Sequence, residues 1–199
     1  MAKIVTTDYT LDVAMPQLEH MSDDEFFSFC VQNKHIKIER DENHQILFMP
    51  PKGNFTANDN FEIAFELAAW IRKNKSGVGF GTSVGFTLPD NSVRSPDVAW
   101  VSLEKWNKVP DSDKEKFGRI VPDFIIELMS PSDNQKDAMA KMEMWRKNGV
   151  RLGWLIDPKK KESFIYRIDG TINKVEGFDK ILSGEDVLPG FKLNLTILA

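Results

Sequence analysis

Three side chains in this sequence could together do chemistry on a phosphate ester. Asp97 follows Pro96 at the start of an apolar segment. Glu127 lies inside the most apolar run of the chain, Phe124 to Met129, and Lys141 sits on the helical pattern that follows. A carboxylate in so apolar a run is costly to bury unless it is paired or binds a cation. Two carboxylates and a lysine around one point suit Mg2+ (or Mn2+), a hard ion that takes oxygen ligands and keeps several waters. Such an ion lowers the pKa of a bound water and clamps a phosphate. The lysine helps to orient that water and offsets charge growing on phosphorus. Each residue also has a plainer reading. Asp97 could cap a turn after proline, Glu127 could face solvent from an edge strand, and Lys141 could pair with Asp137 one turn earlier. Asp123 repeats the Pro-Asp pattern, but at about 3.3 Å per residue it lies roughly 13 Å from Glu127. That is too far to share an ion, and Asp123 reads as a strand-entry residue.

The elements that must position these groups are legible in outline. Ser22-Asp23-Asp24-Glu25 fits a capping box, so a short helix runs to about Asn33. Ile36–Glu39 and Gln45–Phe48 flank Asp41-Glu42-Asn43 and predict a hairpin. From about Asn58 to Asn74, Phe61, Ala64, Phe65, Ala68 and Ile71 follow helical spacing. Phe86-Thr87-Leu88 and Val98–Val101, on either side of Pro89-Asp90-Asn91, predict a second hairpin. Leu103 to Phe117 is polar and predicts two short helical pieces. Phe124–Met129 and Gly153–Asp157 read as strands buried on both faces. The helix between them begins near Asn134, carries Ala138, Met142 and Trp145 on one face and ends at Asn148-Gly149. Lys141 lies about 100° round that helix from Met142, at the border of its apolar stripe. Ser163–Arg167 pairs back after a lysine-rich turn, and Ile181 to Leu198 forms a small strand with an ordered extension. A strand–helix–strand crossover after a meander implies a mixed sheet with helices against it.

Composition bounds the rest. The 199 residues suit one domain, residues 1–199, able to bury a core without disulfides. No apolar run is long enough to cross a bilayer, so no membrane partner is expected. Met1 to Thr10 has no apolar signal core. Cys30 is the single cysteine, which excludes an intramolecular disulfide and a Cys-rich zinc site. These features predict a cytoplasmic protein. The net charge of -4 opposes a role as a general nucleic-acid coat, yet leaves room for a local basic rim. Arg72, Lys73 and Lys75, at the end of the first long helix, are basic side chains that could grip phosphates. His20, His35 and His44 have no metal-ligand spacing, and Gly77, Gly79 and Gly81 resemble no phosphate loop. Trp70, Trp100, Trp145 and Trp154 fall on core periodicity; Trp106, in a polar stretch, is expected to be exposed.

Several motifs in order carry a resemblance. Ser95-Pro96-Asp97-Val98-Ala99-Trp100, then Pro122-Asp123-Phe124-Ile125-Ile126-Glu127-Leu128-Met129-Ser130-Pro131-Ser132-Asp133, then Lys141-Met142 and Gly153-Trp154-Leu155-Ile156-Asp157-Pro158 resemble the Uma-two family of restriction endonucleases. That family lies within the PD-(D/E)XK nuclease superfamily. Ile38-Glu39-Arg40, Met49-Pro50-Pro51, Gly85–Pro89 and Leu182–Phe191 extend the likeness over nearly the whole chain. The resemblance implies a mixed α/β, restriction-endonuclease-like fold. Its four-stranded mixed core sheet is flanked by helices, with an added N-terminal helix and hairpin. It assigns Asp97 and Glu127 as metal-binding acids of a Mg2+- or Mn2+-dependent enzyme that hydrolyses DNA, and by analogy implies a homodimer. The sequence departs from the superfamily pattern at Met129, which stands where a lysine is expected; Lys141 on the next helix is the replacement. Glu39 and Asn60 also match family positions and are additional site candidates, beside plainer readings as a strand-face ion pair and a helix-start residue. Two functions stay open: a DNA endonuclease, favoured by Asp97, Glu127 and Lys141, and an inactive nuclease-fold module that binds nucleic acid or a partner, favoured by the negative charge and Met129.

Overall fold

The computed structural model describes residues 21–199; Met1–Thr10 and His20 lie outside the described residues. The chain opens with α1 (Asp23–Gln32), β1 (Lys37–Arg40), β2 (Ile46–Met49) and α2 (Asn54–Asn74). Next come β3 (Gly77–Phe80), β4 (Phe86–Thr87), β5 (Val93–Arg94) and β6 (Val98–Ser102). Two short helices, α3 (Leu103–Trp106) and α4 (Asp111–Lys114), lead to β7 (Phe124–Leu128), α5 (Gln135–Lys147), β8 (Leu152–Asp157) and β9 (Glu162–Arg167). The chain ends with β10 (Ile172–Glu176), β11 (Ile181–Ser183), β12 (Lys192–Asn194) and a 3-10 turn, Leu195–Leu198. Ser22 caps α1 reciprocally with Glu25, and Asn134 caps α5 by accepting from the Lys136 amide.

Six strands form the main sheet in the order β10-β9-β8-β7-β6-β3. Its four central strands are extended by β3 at one edge and β10 at the other. Only β7 and β8 pair in parallel, joined by the α5 crossover; the other neighbours are antiparallel. A second sheet, β2-β1-β5-β4, stands apart and enlarges the expected N-terminal hairpin to four strands.

Alternation along β7 divides the core into two layers. Phe124, Ile126 and Leu128 face Ile63 and Leu67 of α2, together with Trp154 and Phe191. Ile125 and Met129 face the other way, onto Met142 and Trp145 of α5. The terminal methyl of Met142 on α5 lies over Gly153 of β8, 2.7 Å from where a Cβ would stand. Glu127 shares the α5-facing parity, and that placement makes the site.

Four expectations need correction. First, α2 starts at Asn54, four residues before the predicted start, because Gly53 adopts the extended N-cap geometry and nothing after it stops the helix. Second, its buried face is Thr56, Asn60, Ile63 and Leu67, whereas Phe61 and Phe65 are 66% and 53% exposed. Contact with the sheet, not residue hydrophobicity, selects the inward stripe. Third, the second hairpin is β4–β5; β6 leaves it after Pro96 and joins the main sheet between β3 and β7. Fourth, Trp106 is half-buried: Phe80 packs edge-on to its ring and the Lys114 ammonium lies 5.3 Å from its centre. No helix among the described residues is long and apolar enough to cross a membrane.

Candidate active site

The site begins with strand register. In the β6–β7 ladder Val98 lies opposite Ile126 and Trp100 opposite Phe124. Asp97, one residue before the ladder, therefore arrives beside the Glu127-Leu128 end of β7, while Asp123 is left at the opposite end. Asp97 is 3% exposed. Its Oδ2 accepts the Leu128 amide at 2.8 Å, and its own amide donates to the Ile126 carbonyl. This is a built position across two strands, more than a turn cap.

Glu127 is on a central strand, not an edge. On its face of the sheet, α5 supplies two partners one turn apart. The Lys141 ammonium stands 2.9 Å from Glu127 Oε1. The Trp145 indole N–H donates to the same oxygen at 2.8 Å. Lys141 makes no ion pair with Asp137 among the described residues; it bridges Glu127 and Glu39, the latter at 3.2 Å.

Glu39 comes from β1 of the second sheet and is 1% exposed. It also accepts the Ser95 amide and faces the Arg94 guanidinium at 3.4 Å. Lys37, two residues earlier and so on the same strand face, donates to the Ser95 carbonyl, which Lys141 also reaches. From the loop before α2, Lys52 places its ammonium 2.5 Å from Asp97 Oδ1 and 3.5 Å from the Leu128 carbonyl oxygen. Glu39, Asp97 and Glu127 thus meet Lys37, Lys52 and Lys141 in one cluster.

Lys37 and Lys52 were not foreseen. The period-two spacing of Lys37 from Glu39 was a usable signal; a lysine between Pro51 and Gly53 was not. Trp145, read as packing alone, also orients a carboxylate. Asn60 is buried on the α2 layer, across the sheet from Glu127, with both amide atoms unpartnered; it is not joined to the cluster. Arg72, Lys73 and Lys75 lie at the far end of α2, roughly 30 Å of helix from its start. Asp123 instead pairs with Lys105 at 2.9 Å.

Burial drives the electrostatics. Loss of water pushes the Glu127 carboxyl above its ordinary value; Lys141 opposes this, and the neighbouring Asp97 and Glu39 charges reinforce it. Burial alone would lower Lys141, but Glu127 and Glu39 outweigh it and hold the ammonium firmly protonated. Lys37 is lowered by burial and by the Lys141 charge. Glu39 is lowered: burial would raise it, and Lys141, Lys37 and Arg94 together overcome that.

The Glu39 shift carries a sign. A carboxyl that titrates lower in the folded state stabilises the fold above its unfolded pKa, about 4.3. That contribution fades as pH falls through the lower folded value. Urea unfolding of wild type and Glu39→Gln should therefore show a stability gap at pH 7 that narrows from about pH 5 to pH 3. A gap independent of pH would contradict this electrostatic role.

The donor set fits a divalent cation. Glu39, Asp97, Glu127 and the Leu128 carbonyl offer hard oxygens, and ammonium groups already occupy the positions between them. Among the described residues no three acidic, histidine or cysteine side chains converge on one point by themselves. An ion would be completed by backbone oxygen and water, as Mg2+ allows.

Comparison with known proteins bears on the family and the fold. Residues 23–196 match the Uma2 family, described as "Putative restriction endonuclease". The fold is similar to that of a "putative nuclease belonging to DUF820" from Anabaena variabilis ATCC 29413. The TM-score is 0.72 at 18% identity, covering 90% of this chain and 97% of that one. Comparison with curated proteins returned no match.

Proposed function

The chain belongs to the Uma2 family, and from that membership and the buried carboxylate–lysine cluster we propose that it is an endonuclease hydrolysing DNA phosphodiester bonds with a divalent cation. Asp97 and Glu127 would hold Mg2+ or Mn2+, with the Leu128 carbonyl beside them. When bound, the cation supplies charge neutralisation at the phosphate and acidifies a water. Glu39 and Trp145 hold Lys141 and Glu127 in place. Lys141 directs an ammonium into the space between the acids, where it offsets charge developing on phosphorus. Lys37 and Lys52 add positive charge at the same mouth, suited to a phosphate backbone.

The observation that carries this reading is the position of Lys141. It spans Glu127 and Glu39, from two different sheets, beside Asp97. Two buried acids, Glu39 and Asp97, and a third, Glu127, that is 12% exposed, gathered from separate elements around lysines, are an expensive arrangement for stability alone. The same helix-borne lysine repairs the departure at Met129, which is 6% exposed and packed against α5.

The test is thermal. Mn2+ or Mg2+ should raise the melting temperature of the wild type, because a ligand bound only to the folded state stabilises it by mass action. At a cation concentration of 100 times Kd the gain is about 2.7 kcal/mol. The Asp97→Asn, Glu127→Gln double variant should lose that gain and should no longer nick plasmid DNA. Equal shifts in the two proteins would remove the proposed metal site.

A further inference from the structure

We propose that Lys52 is a tethered cation that occupies the divalent-ion position and must leave it when the ion enters. This rests on the metal site proposed above. The ammonium lies 2.5 Å from Asp97 Oδ1 and 3.5 Å from the Leu128 carbonyl oxygen. Both are hard oxygens aimed at one point. Asp97 Oδ2 is engaged by the Leu128 amide, so Oδ1 is the oxygen left for an ion, and Lys52 has taken it. A divalent ion and an ammonium repel strongly at contact distance and cannot share these two acceptors.

The loop is built for such an exchange. Pro50 and Pro51 stiffen the approach, and Gly53 begins α2 with no side-chain cap. The Lys52 side chain is 28% exposed, whereas Asp97 is 3% exposed. The lysine therefore has an open route outward, and the carboxylate stays where β6 and β7 hold it. Lys141 differs: two acids grip it and it remains within the cluster. Once released, the Lys52 ammonium stands at the mouth of the site. There it meets the phosphate backbone rather than the acids, which ties ion entry to DNA binding.

The experiment has two arms. Calorimetric titration with Mn2+ compares wild type, Lys52→Met and Lys105→Met. The Lys105 variant removes a lysine from the Asp123 end of the sheet and controls for net charge. Lys52→Met should bind Mn2+ about fivefold tighter or more, the effect of releasing one ion pair, and Lys105→Met should match wild type. In the second arm the unmodified protein is labelled with an amine-acylating reagent, with EDTA or with Mn2+. Mass spectrometry should show Lys52 labelling rise when Mn2+ is present. Unchanged or weaker Mn2+ binding by Lys52→Met, or labelling that does not rise, would overturn the displacement. Failure of both wild type and Lys52→Met to bind Mn2+ would instead overturn the metal site itself.

Discussion

Replacing Lys141 with alanine should lower the cleavage rate at saturating divalent cation by about 10²- to 10³-fold, the loss expected when one transition-state charge donor is removed. Cation binding should persist, because Asp97 and Glu127 remain. Without added cation the variant should melt earlier, since Glu39 and Glu127 lose the ammonium between them. Met129→Lys in that background should recover part of the activity. Met129 shares the α5-facing side of β7 with Glu127 and packs with Met142 and Trp145. A lysine stem fills similar space and brings its charge to the room that Lys141 vacates. Steady-state nicking of supercoiled plasmid measures both. A Lys141→Ala protein that cuts at the wild-type rate would reduce Lys141 to a structural ion pair.

Trp145→Phe should destabilise the protein by about 3 kcal/mol, from the volume lost in a fully buried site and from the missing donor to a carboxylate. For a chain of this size that is roughly 10 °C in Tm. The informative measurement is a cycle with Glu127→Gln. If the indole N–H acts through Glu127, the two substitutions should couple by about 1 kcal/mol or more. Simple additivity would show that Trp145 contributes packing alone, as its periodicity first suggested.

What could be read from the amino acids followed range. Local patterns located α1 and α5, each with its capping residue, and the β7–α5–β8 crossover, which contains Glu127 and Lys141. Lys141 was placed at the border of an apolar stripe, and a border position is what lets it reach past the core to two acids. Asp97 depended on pairing register, which its Pro-Asp context only hinted at. Phe61 and Phe65 misled because their bulk outweighs the small, polar Thr56 and Asn60 that actually face inward. Val98–Val101 was read as the second strand of one hairpin, although Pro96 marks the exit from one sheet to another. The ion pair of Lys52 with Asp97 spans 45 residues and has no periodic trace. No local rule could have disclosed it.

The two halves of the cluster differ greatly in chain separation, and this bears on how the protein assembles and opens. Glu127, Lys141 and Trp145 arise within residues 124–157, a single crossover unit. Lys141 and Glu39 are 102 residues apart, and Lys52 is 76 from Leu128. Closing those long loops costs more entropy than forming the crossover, and their contacts repay it only once the larger sheet exists. The crossover half should therefore consolidate first and exchange its amide protons slowest. The β1–β2 ribbon, part of a separate four-stranded sheet, should open on its own at lower free energy. Each such opening lifts Glu39 away from Lys141 while Glu127 stays in place, so the cluster would breathe from one side only.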